Sequence, residues 1–193
     1  MATVRDGNKG VLVVVDVQVG VVRDAWQVPR VVANVARLVD RARAEGVPVV
    51  WVQHADETLQ LGSADWQWVT ELVPAYGEPV IHKRFNSAFE QTSFEQELAR
   101  VGATHVTLAG ASSNWCIRAT AYAALERGYD LTLVGDGHTT ETMVLDDGSR
   151  VEAASVIQDL NLTMTWLAYP GRVNGCANAD QIEFEVPGAG KQR

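Results

Sequence analysis

The chain is poor in cysteine, with two in 193 residues, Cys116 and Cys176. That excludes a disulfide framework and makes a reducing cytoplasm the expected setting. No apolar run reaches transmembrane length, so no bilayer-spanning helix is expected. Positive charge is short as well. Lys and Arg number 16 against 24 Asp and Glu, a net charge of −8. Such a balance argues against a general binder of nucleic acid or of anionic membranes. Residues 1–6 lack the basic-then-apolar pattern of a signal peptide. Internal repeats and low-complexity tracts are missing too.

What is present reads as an ordinary globular protein, 47% hydrophobic and 21% charged. The length predicts one domain over residues 1–193, with a core at about 10–185 and a flexible tail at 186–193. Val-rich strands are expected at 11–15, 47–52, 79–82, 105–109 and 129–134. Helices are expected at 29–45, from Thr92 to Val101, from Cys116 to Gly128, and at 151–159. Thr92 and Glu95 suggest a capping box. Residues 162–166 are a sixth strand or a continuation of the last helix. Alternating β and α segments with continuous apolar strands predict a parallel sheet covered on both faces. The segment 55–76, with Trp66 and Trp68, is long for a loop and suits a lid or a subunit contact.

Three strands deliver a reactive side chain at their C-terminal end. The run 11–15 ends on Asp16, with Gln18 just beyond. The run 78–81 ends on His82, Lys83 and Arg84. The run 105–110 passes through Ala111, Ser112, Ser113 and Asn114 into the helix that starts near Cys116. In an open parallel sheet such ends line the ligand crevice. A cysteine in a first helical turn meets unpaired N–H groups and the positive helix end, which favour thiolate over thiol. Each residue has a plainer alternative. Cys116 is then a small buried hydrophobe, Asp16 a turn cap, and Lys83 a solvated charge. An acid, an amine and a thiol arriving together favour a nucleophilic site.

Three motifs carry a family resemblance. They are Asp16-Val17-Gln18, the segment 82–89 around Lys83, and the segment 110–121 around Cys116, followed by Gly135-Asp136-Gly137. In this order they resemble the motifs of the isochorismatase-like cysteine hydrolases, over about residues 10–185. The resemblance implies an α/β fold, a three-layer α/β/α Rossmann-like sandwich around a mostly parallel six-stranded sheet. It also implies a homodimer or homotetramer and an Asp16–Lys83–Cys116 triad. The backbone N–H groups of Ser112 and Cys116 would form the oxyanion hole, with a cis peptide between Ala111 and Ser112. Lys83 would favour the Cys116 thiolate, and Asp16 would act as general base and then acid.

There are departures. Ser113 stands where the family often has threonine, and it keeps the hydroxyl. Nicotinamidases of this family bind a metal through an Asp and two His after the second strand. Here that loop offers His54 and Asp56 without a second histidine, and a catalytic metal usually has three protein ligands. No metal and no cofactor are therefore expected. Gln18, Trp51, His54, Phe85 and Trp115, together with Trp26, are candidate pocket residues. Packing is the alternative for each aromatic. Asp136 is expected to be structural, and Cys176 a bystander in a polar late loop. The expected reaction on a small-molecule substrate is cleavage of a carboxamide or related C–N bond through a Cys116 thioester. A vinyl-ether hydrolase, which does not need the cysteine, and a non-catalytic binding scaffold are the alternatives.

Overall fold

Gly10–Val15 is a strand with every residue buried, and its two faces establish the layers. Val11, Val13 and Val15 enter one hydrophobic cluster, while Leu12 and Val14 enter the other. A strand buried on both faces needs a continuous apolar run, because successive side chains alternate sides. In the computed structural model, residues 1–184 are described, so the expected tail at 186–193 lies outside the described residues.

After β1 (Gly10–Val15) come α1 (Val19–Val22), α2 (Val28–Ala44), β2 (Val49–His54) and β3 (Val80–Lys83). Then follow α3 (Phe94–Arg100), β4 (His105–Ala111), a wide helical turn at Ser113–Ile117, α4 (Arg118–Glu126) and β5 (Asp130–Thr139). The chain continues through β6 (Met143–Val144), β7 (Arg150–Val151), α5 (Ala153–Trp166) and β8 (Asn174–Ala177). Among the described residues six strands form one sheet in the order β3-β2-β1-β4-β5-β8, with every pairing parallel. β6 and β7 pair separately as a short antiparallel ribbon.

One face of the sheet packs on α3, α4 and α5 through Phe94, Leu98, Ala121, Leu125, Leu160 and Met164. The other packs on α2 through Val31, Val35, Leu38, Val39 and Ala42. This is the three-layer α/β/α sandwich. The chain leaves β1 outward to β2 and β3, then returns to place β4 on the other side of β1. That reversal is the topological switch point, where a crevice opens at the strand C-termini.

Several elements differ from expectation. β2 begins and ends two residues later than 47–52, so its last residue is His54. Of the two readings of residues 162–166 the helical one holds, since they continue α5, and the sixth strand is Asn174–Ala177. Leu162 and Trp166 are exposed on that helix. Cys176 therefore lies in a strand, where a Cβ on Gly135 would come 2.7 Å from its Sγ. The Thr92–Glu95 capping box does not form. α3 starts at Phe94, and Thr92 instead accepts the Phe94 N–H through its hydroxyl. β5 runs past residue 134 to Thr139, because a register shift against β4 lets it continue beyond a bulge. Asp136, expected to be structural, lies in that strand and accepts the Ala179 N–H.

Candidate active site

Four neighbouring strands end at one place. Asp16 follows β1, His54 ends β2, Lys83 ends β3, and β4 leads through Ala111 to Cys116. β1 and β4 come unusually close there. A Cβ on Gly110, at φ +128°, would sit 1.9 Å from the Val15 carbonyl oxygen. Only glycine allows that approach. Asp16 itself has φ +51°, in the left-handed region that aspartate tolerates better than most residues.

Lys83 Nζ lies 2.7 Å from Asp16 Oδ2 and donates to Cys116 Sγ at 3.2 Å. The Asp16 and Lys83 side chains are essentially sealed from solvent. The Asp16–Lys83 contact is an ion pair without hydrogen-bond alignment, and neither Asp16 oxygen has a directed donor among the described residues. Burial raises the Asp16 pKa, against the opposing charge of Lys83. Burial also works against the Lys83 charge, yet Asp16 and Cys116 outweigh it and hold its pKa above the ordinary lysine value. The site thus contains an ammonium, and a carboxylate made more basic than usual.

The thiol differs from expectation. Burial, reinforced by the Asp16 charge, pushes the Cys116 pKa up to about 12. Lys83 pulls the other way, but much of its charge is matched by Asp16. The resting group is therefore a thiol rather than a thiolate. Cys116 also precedes the regular helix. It lies in the turn Ser113–Ile117, which the Ile117 N–H closes onto the Ser112 carbonyl, five residues back. Such wide turns occur frequently at functional sites. The Ala111–Ser112 peptide before it is cis.

The isochorismatase domain family model matches residues 10–157. The chain belongs to the isochorismatase family. It is 34% identical to a streptothricin hydrolase of Streptomyces noursei over 67% of this chain and 54% of that protein. It is likewise 34% identical to a maleamate amidohydrolase of Pseudomonas putida, over 47% of this chain and 45% of that one. The chain thus spans about half the length of each of these curated relatives. A crystal structure of an isochorismatase from Pseudomonas putida superposes with a TM-score of 0.80 at 26% identity, covering 91% of both chains.

Beside Lys83 this isochorismatase-family chain has an open cleft of about 950 Å³, lined in part by Asp56, Glu57, Leu61, His82, Arg84 and Phe85. Of the expected pocket residues, Phe85 lines it and His54 borders Lys83. Gln18 is buried behind the site. Its amide donates to the carbonyls of His54 and Trp66 and accepts the His54 N–H. Trp51 is not a pocket wall. It sits mid-strand on the α2 face, fully buried, edge-on to Trp68 and donating to Glu78. Trp115 and Trp26 are half-exposed and lie outside the cleft lining. The segment 55–76 divides in two. Its first part borders the cleft, while Asp65, Gln67 and Val69 hydrogen-bond to Gly20, Val19 and Val17.

The residues after β2 do not fit the metal site of the family's nicotinamidases. His54 and Asp56 are spent on each other and on Lys83. Among the described residues no cluster of three His, Cys, Asp or Glu side chains is arranged for a metal.

Two further residues were not legible in the sequence. His138 Nδ1 lies 2.7 Å from the Ser113 hydroxyl, and its Nε2 lies 2.8 Å from Asn161 Oδ1. Asn161 donates its amide to Gly135 O, so its oxygen is the acceptor for His138. The ring then carries its proton on Nε2 and accepts the Ser113 hydroxyl at Nδ1. Burial lowers the His138 pKa to about 4 and keeps it neutral. This chain ties the start of the Ser113–Ile117 turn to β5 and α5. No motif announces it, because the β5 register shift brings His138 opposite Gly110.

Proposed function

We propose that this chain is a cysteine hydrolase that cleaves a small carboxamide or related C–N bond through a thioester on Cys116. The observation that carries the reading is the Lys83 ammonium, in contact with both the Asp16 carboxylate and the Cys116 sulfur. An acyl-transfer site needs a nucleophile, a base beside it and a charge that steadies the ionised pair. The maleamate amidohydrolase among the relatives supports C–N cleavage as the reaction type.

The sequence of steps follows from the protonation states. Cys116 rests as a thiol, so a base must take its proton as it attacks. Asp16, buried and raised in pKa, is that base. Sulfur bonds to the carbonyl carbon, and the oxygen becomes an oxyanion. The backbone N–H groups of Ser112 and Cys116 receive it, each such donor contributing about 3 kcal/mol in acyl transfer. The C–N bond then breaks, and the proton held on Asp16 goes to the departing nitrogen. Water, deprotonated by Asp16, attacks the thioester. The C–S bond breaks, and Asp16 returns the proton to sulfur. Lys83 stays protonated throughout.

A panel of small amides, nicotinamide and carbamoyl compounds tests this, with wild type and Cys116→Ala compared on any substrate turned over. The expected result is turnover by wild type alone, with an acyl adduct on Cys116 seen by intact-mass spectrometry. Turnover that persists in Cys116→Ala would refute the thioester.

A further inference from the structure

An ammonium has three N–H donors and no acceptor. Lys83 Nζ is ion-paired with one group and hydrogen-bonded to two others, gathered from neighbouring strand ends. Asp16 Oδ2 is at 2.7 Å, Cys116 Sγ at 3.2 Å and His54 Nδ1 at 3.2 Å. The third has no place in the proposed steps. We propose that His54, held by Asp56 and Gln18, is a positioning residue that pins the Lys83 ammonium between Asp16 and Cys116. This rests on the reading of those three residues as the reactive centre.

The tautomer follows from the surroundings. Asp56 Oδ1 accepts the N–H groups of Thr58 and Leu59 and the Thr58 hydroxyl. The Leu59 N–H, the His54 ring and Thr58 hold the Asp56 carboxyl well below the usual range, so it is an acceptor only. Its Oδ2, 3.0 Å from His54 Nε2, therefore fixes the ring proton on Nε2. Nδ1 is left as a lone pair facing Lys83, and the ammonium donates to it. The other tautomer would aim an N–H at an ammonium. Gln18 holds the ring's backbone in place by clasping both the N–H and the carbonyl of His54.

The structure gives this arrangement a purpose. The Lys83 side chain is fully buried, so no water replaces His54 as an acceptor for its N–H. Without His54 that donor is orphaned, which weakens the charged form of Lys83 and with it the support for a Cys116 thiolate. Asp56 lines that cleft, and its side chain is 42% exposed. The row Asp56–His54–Lys83–Cys116 thus links the cleft wall to the nucleophile.

The test reads the thiol directly and needs no substrate. In a Cys176→Ser background, alkylation of Cys116 by iodoacetamide is followed by intact-mass spectrometry from neutral to alkaline pH, alongside thermal unfolding. His54→Leu should slow alkylation roughly tenfold, the effect of losing one hydrogen bond to a charged group. His54→Asn, whose Oδ1 can stand in for Nδ1, should recover the rate to within about twofold of the parent. Asp56→Asn should behave like His54→Leu. The Thr58 and Leu59 N–H groups keep its oxygen, so its amide presents a donor to Nε2 and moves the ring proton to Nδ1.

Lys83→Met separates the two readings. If it slows alkylation while His54→Leu does not, the role of His54 is overturned and the reactive centre stands. If Lys83→Met also alkylates at the parental rate, the reading of the centre itself fails. Should His54→Leu not fold, the contrast between His54→Asn and Asp56→Asn decides, and equal rates for those two overturn the proposal.

Discussion

Replacing Lys83 with methionine tests the electrostatic design of the site. Methionine nearly preserves the volume of the lysine stem, so packing is little changed. The charge is lost, and Asp16 is left buried with no cation in contact and no directed donor. Removing one partner of a buried pair costs about 3–5 kcal/mol, because the other charge is stranded. A domain of this size shifts by about 2–4 °C per kcal/mol, so the melting temperature should fall by roughly 10 °C at neutral pH.

The deficit should depend on pH with a definite sign. Asp16 is already raised above its ordinary 3.8 by burial, and loss of Lys83 raises it further. A carboxylate raised in the fold contributes stability that is full below its unfolded pKa and is lost as pH rises through the folded value. The variant should therefore lie nearest to wild type in acid and fall behind as pH climbs above about 4. Lys83, whose pKa is raised, offsets this in the wild type until pH passes through its own folded value, above 10.5. The double variant Asp16→Asn/Lys83→Met should regain most of the stability while remaining inactive. Urea unfolding of all three proteins across the acid range measures this. A single variant as stable as wild type at neutral pH, or a deficit flat with pH, would refute the reasoning.

Asp16→Asn alone should abolish turnover nearly as completely as Cys116→Ala while the chain stays folded, seen by circular dichroism beside the activity assay. Gly110→Ala should cost more than about 3 kcal/mol or prevent folding, because its Cβ would lie 1.9 Å from the Val15 oxygen; soluble yield and urea unfolding report it. His138 contributes stability through its neutral form, full above pH 6.5 and lost as pH falls toward about 4. That window is worth up to about 3 kcal/mol and should flatten in His138→Gln.

Much of the fold was legible because its signals are local. The apolar run 11–15 and the β/α alternation announce a parallel sheet buried on both sides. Asp16, Lys83 and Cys116 were legible because each sits at the end of such a run, and parallel strands all end on one side. Trp51 misled because a large aromatic near a strand end has the same sequence signature whether it faces a helix or a cleft. β2 runs two residues further than the pattern suggested, which leaves Trp51 mid-strand instead of at the strand end.

The sequence by itself determined the architecture and singled out Asp16, Lys83 and Cys116 as side chains that meet at the strand ends. Only the tertiary structure decided the state of the thiol, the partners of Lys83 and the Ser113–His138–Asn161 tie. A charge or a tautomer is decided by what surrounds the group in space. The groups around Lys83 come from four strands, at Asp16, His54, Lys83 itself and Cys116, and no local pattern records how deeply they are buried.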